Sequence, residues 1–152
     1  MNQTRKWLIG VIVVLAIVVV GYFVSKGPSQ LLTPTLKIGL ILPLTGEVAS
    51  LGENAKNGTN LAYNELSENV KQRIQLIFED DGFQPKNTVS AFNKLVETDG
   101  SDMIICFTSG PCNAIAPLAD QKQIPLIAVS SAPVKKDREF VVRLEISTAE
   151  EA

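Results

Sequence analysis

The chain has 152 residues, of which 45% are hydrophobic, and its formal net charge is −2 with no histidine. This length and composition fit one modest domain together with an additional apolar segment. Arg5, Lys6 and Lys26 are three of the 14 basic residues, so the part after Lys26 has 11 basic and 16 acidic residues and a net charge of −5. This balance argues against a nucleic-acid-binding surface, which needs clustered lysine and arginine.

An uncharged apolar run, WLIGVIVVLAIVVVGYFV, occupies residues 7–24. At about 1.5 Å per helical residue, it is long enough to cross a hydrocarbon core of about 30 Å. Arg5 and Lys6 precede it, which predicts residues 1–6 in the cytoplasm and the following chain on the other side of the membrane. We interpret the run as an uncleaved signal-anchor, because it lacks an Ala-x-Ala cleavage site and a lipid-attachment cysteine; a cleaved signal peptide is the alternative. Residues 25–35, interrupted by proline and glycine, are predicted to form a linker.

From residue 36 onward, short apolar runs alternate with stretches of helical periodicity. The predicted strands are LKIGLIL (36–42), IQLIFE (74–79), DMIICF (102–107), PLIAV (125–129) and FVVRLEI (140–146). The predicted helices cover 53–70, 85–100 and 112–123. Pro85 suits a first helical position, and Pro117 is tolerable because it falls near the first turn of the third helix. The alternation predicts an α/β fold, a parallel sheet with right-handed crossovers and helices on both faces.

Three predicted loops follow strands at the carboxyl edge of this sheet, where open parallel sheets bind ligands. They are PLTGEVASLG (43–52), TSGPC (108–112) and SSAPV (130–134). Their small and hydroxyl-bearing residues let backbone N–H groups approach a ligand, and helix N-termini nearby favour a carboxylate or another small anion. A nucleotide phosphate fits less well, because the sequence has neither the dinucleotide-binding glycine motif nor the P-loop motif.

The sequence offers little for catalysis or metal binding. A serine nucleophile needs a base, and the chain has no histidine and no G-x-S-x-G motif. Cys106 and Cys112 are the only cysteines, and this spacing without histidine is not a convincing metal site. Export would permit a disulfide between them, but the sequence does not decide whether it forms. We therefore expect no catalytic residue, no metal and no cofactor.

Four segments in series carry a family resemblance: KIGLILPLTGEVASLGENAKNGTNLAYNEL, FEDDGFQPKNTVSAFNKLV, FTSGPCNAIAPLADQKQIPLIAVSSA and FVVRLEISTAEEA. Over residues 36–152 they resemble the opening of the type I periplasmic substrate-binding proteins, specifically the leucine/isoleucine/valine-binding group that serves ABC importers. The resemblance implies a two-lobed protein that closes on an amino acid or similar ligand. The sequence ends in a capping-box pattern, Thr-x-x-Glu, which opens a further helix. We therefore expect residues 36–152 to be a truncated N-terminal lobe.

The resemblance also implies a set of ligand contacts. In the family, a serine hydroxyl and backbone N–H groups after the third strand hold the ligand carboxylate, and the matching residues are Ser109 and Gly110. The loop after the fourth strand contributes backbone and hydroxyl contacts, which implicates Ser130, Ser131 and Ala132. Because threonine is often found at the Ala132 position, a hydroxyl is missing there, and this departure counts against a standard α-amino acid ligand.

Other assignments have structural alternatives. Leu51 matches a position that touches the ligand side chain, and the alternative is a core residue. Ser109 is alternatively the N-cap of the helix that follows. Asp80 and Asp81 look like a metal or acid pair, but the family places acidic residues at this strand end for loop and helix-start structure, and we interpret them in that way.

Two functions are consistent with these features. The leading hypothesis is a membrane-anchored solute-binding component of an ABC importer, which captures an amino acid-like ligand and presents it to an ABC permease. The alternative is the ligand-sensing ectodomain of a transmembrane signalling receptor. Both hypotheses place the domain on the extracytoplasmic side of the cell membrane, tethered by the N-terminal helix.

Overall fold

Five strands form one parallel sheet in the computed structural model, which describes residues 35–130 and 138–144. The strands are β1 (Leu36–Leu42), β2 (Ile74–Asp80), β3 (Met103–Phe107), β4 (Leu126–Val129) and β5 (Val141–Arg143). They lie in the order β2-β1-β3-β4-β5. The chain adds β2 on one side of β1 and all later strands on the other, so the strand order reverses between β1 and β3. The predicted parallel α/β sheet is confirmed.

Helices cover both faces of this sheet, as predicted. They are α1 (Ala49–Glu65), α2 (Glu68–Lys71), α3 (Pro85–Asn93), which continues as a π-helical segment over Lys94–Thr98, and α4 (Ser109–Lys122). Cys106 and Ala128, which are paired in register, belong to the main core together with Phe92 of α3 and Ile115 of α4. On the opposite face, the Nζ atom of Lys56 in α1 lies 5.9 Å from the centre of the Phe78 ring.

Several element boundaries differ from the prediction. Helix α1 begins at residue 49 rather than 53 and ends at Glu65, because Leu66 is extended with ψ 149°. Helix α4 begins at residue 109 rather than 112, so Pro117 lies inside the helix and the expectation that it falls near the first turn is wrong. Pro117 removes one N–H donor, and its usual acceptor, the carbonyl of Asn113, belongs to an exposed residue that water can reach.

Strand β5 forms one edge of the described sheet and has three residues, whereas residues 140–146 were predicted to be extended. Val142, in the middle of β5, is 56% exposed, and Leu144, the first residue after β5, is 62% exposed. No helix in residues 35–130 and 138–144 is long and apolar enough to cross a membrane. The predicted signal-anchor (7–24) and the cytoplasmic segment (1–6) lie outside the described residues, as does nearly all of the linker.

Helix α1 meets the end of β1 at a glycine. A Cβ atom added to Gly52 would lie 2.1 Å from the carbonyl oxygen of Pro43 and 2.6 Å from its carbonyl carbon. Any side chain at Gly52 would therefore separate the helix from the strand end. Gly58 lies in the same helix, yet a Cβ atom added there would meet nothing within 4 Å.

These two glycines predict opposite effects of the same substitution. Gly52→Ala is expected to lower the free energy of unfolding by about 1–3 kcal/mol, because backbone must move to admit the methyl group. Gly58→Ala is expected to raise it by about 0.5–1 kcal/mol, because alanine restricts the unfolded chain and favours the helix. Urea unfolding of both variants and the parent protein measures the difference. Equal effects of the two substitutions would contradict this account of the α1 packing.

Candidate ligand-binding site

A cavity of about 410 Å³ opens at the carboxyl edge of the sheet. One group of lining residues is small or hydroxyl-bearing and follows β3 and β4; its members are Thr108, Ser109, Gly110 and Ser130. A second group is apolar, and its members are Val48, Leu51, Phe83, Phe107 and Val129. The volume falls within the range of about 300–1,000 Å³ that small-molecule sites occupy. The cavity also lies near the reversal of strand order, where open α/β sheets bind ligands.

The structure brings together four of the six residues predicted to bind the ligand. Leu51, Ser109, Gly110 and Ser130 line this one cavity, although they come from three separate parts of the chain. Leu51 is 43% exposed, so the alternative of a core residue does not describe it. Ser131 and Ala132 lie outside the described residues. Ligand contact by any of these residues stays a prediction.

The first turn of α4 forms the small, polar end of the cavity. Ser109 is the first residue of α4, and the N-cap is Thr108, so the structure does not give Ser109 the N-cap position. Backbone N–H groups in a first helical turn have no acceptor within the helix, and the helix dipole favours negative charge there. Gly110 borders the cavity without a side chain that would obstruct those groups. This end therefore suits a carboxylate or a similar small anion.

Thr108 has a backbone conformation that residues other than glycine rarely adopt. Its φ is 82° and its ψ is 147°, close to a region that is essentially restricted to glycine. Its N–H donates to the carbonyl of Val129 at 3.0 Å, and its own carbonyl accepts from the N–H of Cys112 at 3.1 Å. Its buried hydroxyl oxygen has no hydrogen-bond partner among the described residues. Nothing in the residue type predicts this conformation, and Thr108 was predicted only as part of the loop 108–112 and not as a ligand contact.

A disulfide joins Cys106 at the end of β3 to Cys112 in the first turns of α4. The two Cα atoms lie 5.5 Å apart, and both cysteines are fully buried. The short loop that the bond closes contains Thr108, Ser109 and Gly110. In the chain-entropy account, closing so short a loop stabilises the fold by about 2 kcal/mol, because it restricts the unfolded chain. The sequence did not decide whether Cys106 and Cys112 are joined, and in the structure they form a disulfide.

Asp80 ties the loop after β1 to the end of β2. Its Oδ1 atom accepts from the N–H groups of Leu44 (2.8 Å), Thr45 (3.2 Å) and Gly82 (2.9 Å), and its Oδ2 atom accepts from the Thr45 hydroxyl (2.6 Å). Partial burial raises the pKa of Asp80, but the four hydrogen bonds outweigh it and hold the pKa below its ordinary value. The carboxylate therefore stabilises the loops beside the cavity in its charged form.

Asp81 organises the turn before α3. Its side chain is fully buried, and it accepts from the N–H of Phe83 at 2.9 Å and from the Thr88 hydroxyl at 2.8 Å. Its carbonyl accepts from the N–H of Gln84 at 2.9 Å. Both aspartates thus bind loop and helix-start groups, which agrees with the structural interpretation of the pair. Residues 35–130 and 138–144 contain no group of three or more potential metal-binding side chains.

The lowered pKa of Asp80 predicts an acid-sensitive contribution to stability. The contribution is fully present above the pKa of the unfolded chain, near 4, and is lost as the pH falls through the lower pKa of the folded state. We expect Asp80→Asn to lower the free energy of unfolding by at most about 1 kcal/mol at pH 7, because Asp80 is exposed and solvent screens its charge. We expect that difference to shrink below about pH 4, because the Asp80 side chain of the unfolded parent protein then binds a proton while the folded state still favours the charged form.

Urea unfolding of the parent protein and Asp80→Asn at pH 7 and pH 3 measures this difference. The control is Glu53→Gln, which removes an exposed carboxylate of α1 that makes none of the Asp80 hydrogen bonds. A difference between parent and Asp80→Asn that stays constant from pH 7 to pH 3 would refute the role of the charged form.

Comparison with known proteins supports the interpretation of this fold and cavity. The Periplasmic binding protein family model matches residues 35–151. The Leu/Ile/Val-binding protein BraC3 of Rhizobium johnstonii is 42% identical over 79 residues, which are 50% of this chain and 20% of that protein.

Two solved structures share the fold. One is a solute binding protein of an ABC transporter from Rhodopseudomonas palustris BisB5 in complex with 3,4-dihydroxy benzoic acid (TM-score 0.65, 30% identity, 76% of this chain and 33% of that chain). The other, from Rhodopirellula baltica SH 1, is described as a possible leucine/isoleucine/valine-binding protein (TM-score 0.73, 26% identity, 81% of this chain and 35% of that chain).

The match over residues 35–151 shows that the chain belongs to the periplasmic binding protein family. The resemblance to its leucine/isoleucine/valine-binding members is confirmed by the relatives that match. The chain spans only about a fifth of the length of BraC3 and about a third of the two solved structures. These relatives are binding proteins, which supports the expectation that the chain is not an enzyme.

Proposed function

We propose that the chain is the N-terminal lobe of an extracytoplasmic solute-binding protein for a small carboxylate ligand, an amino acid or a similar compound. The observation that carries this proposal is the shared cavity of Ser109, Gly110 and Ser130 at the N-terminus of α4. In the proposal, the first turn of α4 and the nearby hydroxyl groups hold the carboxylate. The apolar lining group holds the rest of the ligand, and a second lobe closes over it.

The ligands for which the relatives are named, or with which they were crystallised, fit this division of the cavity. The Rhizobium protein is named for leucine, isoleucine and valine, and the Rhodopseudomonas structure contains 3,4-dihydroxy benzoic acid. Each of these compounds has a carboxylate attached to a body that is largely apolar. A cavity with a helix N-terminus at one end and Leu51, Phe83 and Phe107 elsewhere in its lining is suited to such a ligand.

We further propose that residues 7–24 anchor the lobe to the cell membrane, with residues 1–6 in the cytoplasm and 25–35 as the linker. Tethering keeps a solute receptor close to its ABC permease, to which the closed protein would deliver the ligand. The apolar run and the preceding Arg5 and Lys6 support this topology. Import is favoured over sensing because the Rhodopseudomonas relative is described as part of an ABC transporter.

The carboxylate site predicts a specific effect of a methyl group at Gly110. A Cβ atom there meets no protein atom within 4 Å and borders the cavity, so Gly110→Ala is expected to leave the fold intact and to obstruct the ligand. We expect about a tenfold loss of affinity, equivalent to about 1.4 kcal/mol. Gly58→Ala is the matched control, because its methyl group also meets open space but lies outside the cavity lining.

The measurement is isothermal titration calorimetry on the protein as its source cells make it. The probes are leucine, isoleucine, valine and 3,4-dihydroxybenzoate. The proposal requires that at least one of them binds and that only the Gly110 substitution weakens it. Failure of all four probes to bind would refute the proposed ligand class, and equal losses in both variants would refute the carboxylate site at α4.

The proposed anchor predicts how the protein behaves in membranes. Protein extracted from source-cell membranes should retain its N-terminal segment, and it should stay in the membrane pellet after alkaline washing. N-terminal sequencing of the extracted protein distinguishes the two alternatives. A mature N-terminus after residue 24 would show a cleaved signal peptide and would contradict the signal-anchor.

A further inference from the structure

Phe83 occupies a turn position that is unusual for an aromatic residue. Gly82 and Phe83 both have positive φ, 54° and 62°, and the N–H of Gln84 donates to the carbonyl of Asp81 at 2.9 Å. These features define a type I′ turn, whose central positions favour glycine, asparagine and aspartate. A bulky side chain in the left-handed region costs free energy, and such residues concentrate where the surroundings hold them for a function.

The surroundings of Phe83 fix its backbone. Its N–H donates to the Oδ1 atom of Asp81, which is fully buried and also binds Thr88. The N–H of Gly82 donates to Asp80, which also binds Leu44 and Thr45 in the loop after β1. The turn is therefore held from both sides, and the position of Phe83 does not depend on burying its own ring.

Phe83 is 42% exposed and lines the cavity. Leu51 lines the same cavity and is 43% exposed. Both side chains have more apolar surface in contact with solvent than packing against the protein alone would favour, and a bound apolar group would cover it. An aromatic ring presents a flat face that stacks best on another planar group.

The described lining of the cavity contains no charged side chain. Of the two aspartates before Phe83, Asp81 is fully buried and Asp80 accepts four hydrogen bonds from loop groups. Neither Asp80 nor Asp81 is among the lining residues. This side of the cavity therefore offers a ligand an anion site and apolar walls.

We infer that Phe83 is a ligand-binding residue and that the ligand class is a small aromatic carboxylate, whose ring stacks on Phe83 while Leu51 contacts its edge. This inference rests on the proposed function, since it assigns the carboxylate to the first turn of α4. It adds Phe83, which was not among the predicted site residues, and it narrows the ligand class from amino acid-like carboxylates to planar ones.

The test compares benzoate with cyclohexanecarboxylate, which has a carboxylate and six ring carbons but no planar ring, and with leucine. The three affinities are measured by isothermal titration calorimetry on the protein as its source cells make it. We expect benzoate to bind most tightly. Phe83→Leu should weaken benzoate binding roughly fivefold and cyclohexanecarboxylate binding less than twofold, because leucine keeps the apolar contact and loses the flat face. Phe83→Tyr keeps the ring face and should retain the preference for benzoate.

Leu61→Ala is the control, because Leu61 is a 63% exposed residue of α1 that does not line the cavity. It should change none of the three affinities. Tighter binding of leucine or cyclohexanecarboxylate than of benzoate would overturn the aromatic ligand class and leave the proposed function standing. A benzoate preference that survives Phe83→Leu would overturn the role of Phe83. Binding of none of the three probes would count against the proposed function itself.

Discussion

The carboxylate of Asp80 connects the two loops on which one side of the cavity depends. It accepts hydrogen bonds from Leu44 and Thr45 after β1 and from Gly82 after β2. The parallel register already places these strand ends at the same edge of the sheet, with Leu42 beside Asp80. The hydrogen bonds then fix the loops relative to each other. The positions of Leu51 and Phe83 both follow from loops that this one side chain organises.

The cavity is built from backbone conformations that cost free energy, and rigid neighbours maintain them. Thr108 lies between a disulfide-linked strand end and helix, and its N–H and carbonyl are both hydrogen-bonded. Phe83 lies within a turn that the buried Asp81 holds. Because these constraints exist before any ligand is present, this half of the site is preorganised. A preorganised lobe loses little conformational entropy when it binds, which favours affinity.

The sequence was sufficient to predict the sheet and the edge that carries the site, because buried parallel strands are continuous apolar runs and their carboxyl ends must lie together. The family resemblance and this topology were also sufficient to select Ser109, Gly110, Ser130 and Leu51, which line one cavity and whose contact with a ligand stays a prediction. Phe83 and Thr108 could not, because a positive φ at a residue other than glycine is imposed by tertiary contacts. The start of α1 at residue 49 was also not predicted. Residues 49–52 resemble loop residues in the sequence, and the close packing of Gly52 against Pro43 is visible only in the structure.

The short edge strand β5 has a consequence for work with the isolated lobe. In the described sheet β5 pairs with β4 alone, and Val142 and Leu144 are both more than half exposed. An apolar sheet edge of this kind is a template for pairing with other chains, and natural proteins protect such edges with charged residues, proline or a covering segment. Within the part of the chain that the structure describes, this edge is therefore exposed to aggregation at high protein concentration. A lysine at position 142 would act as a gatekeeper against it without touching the cavity lining.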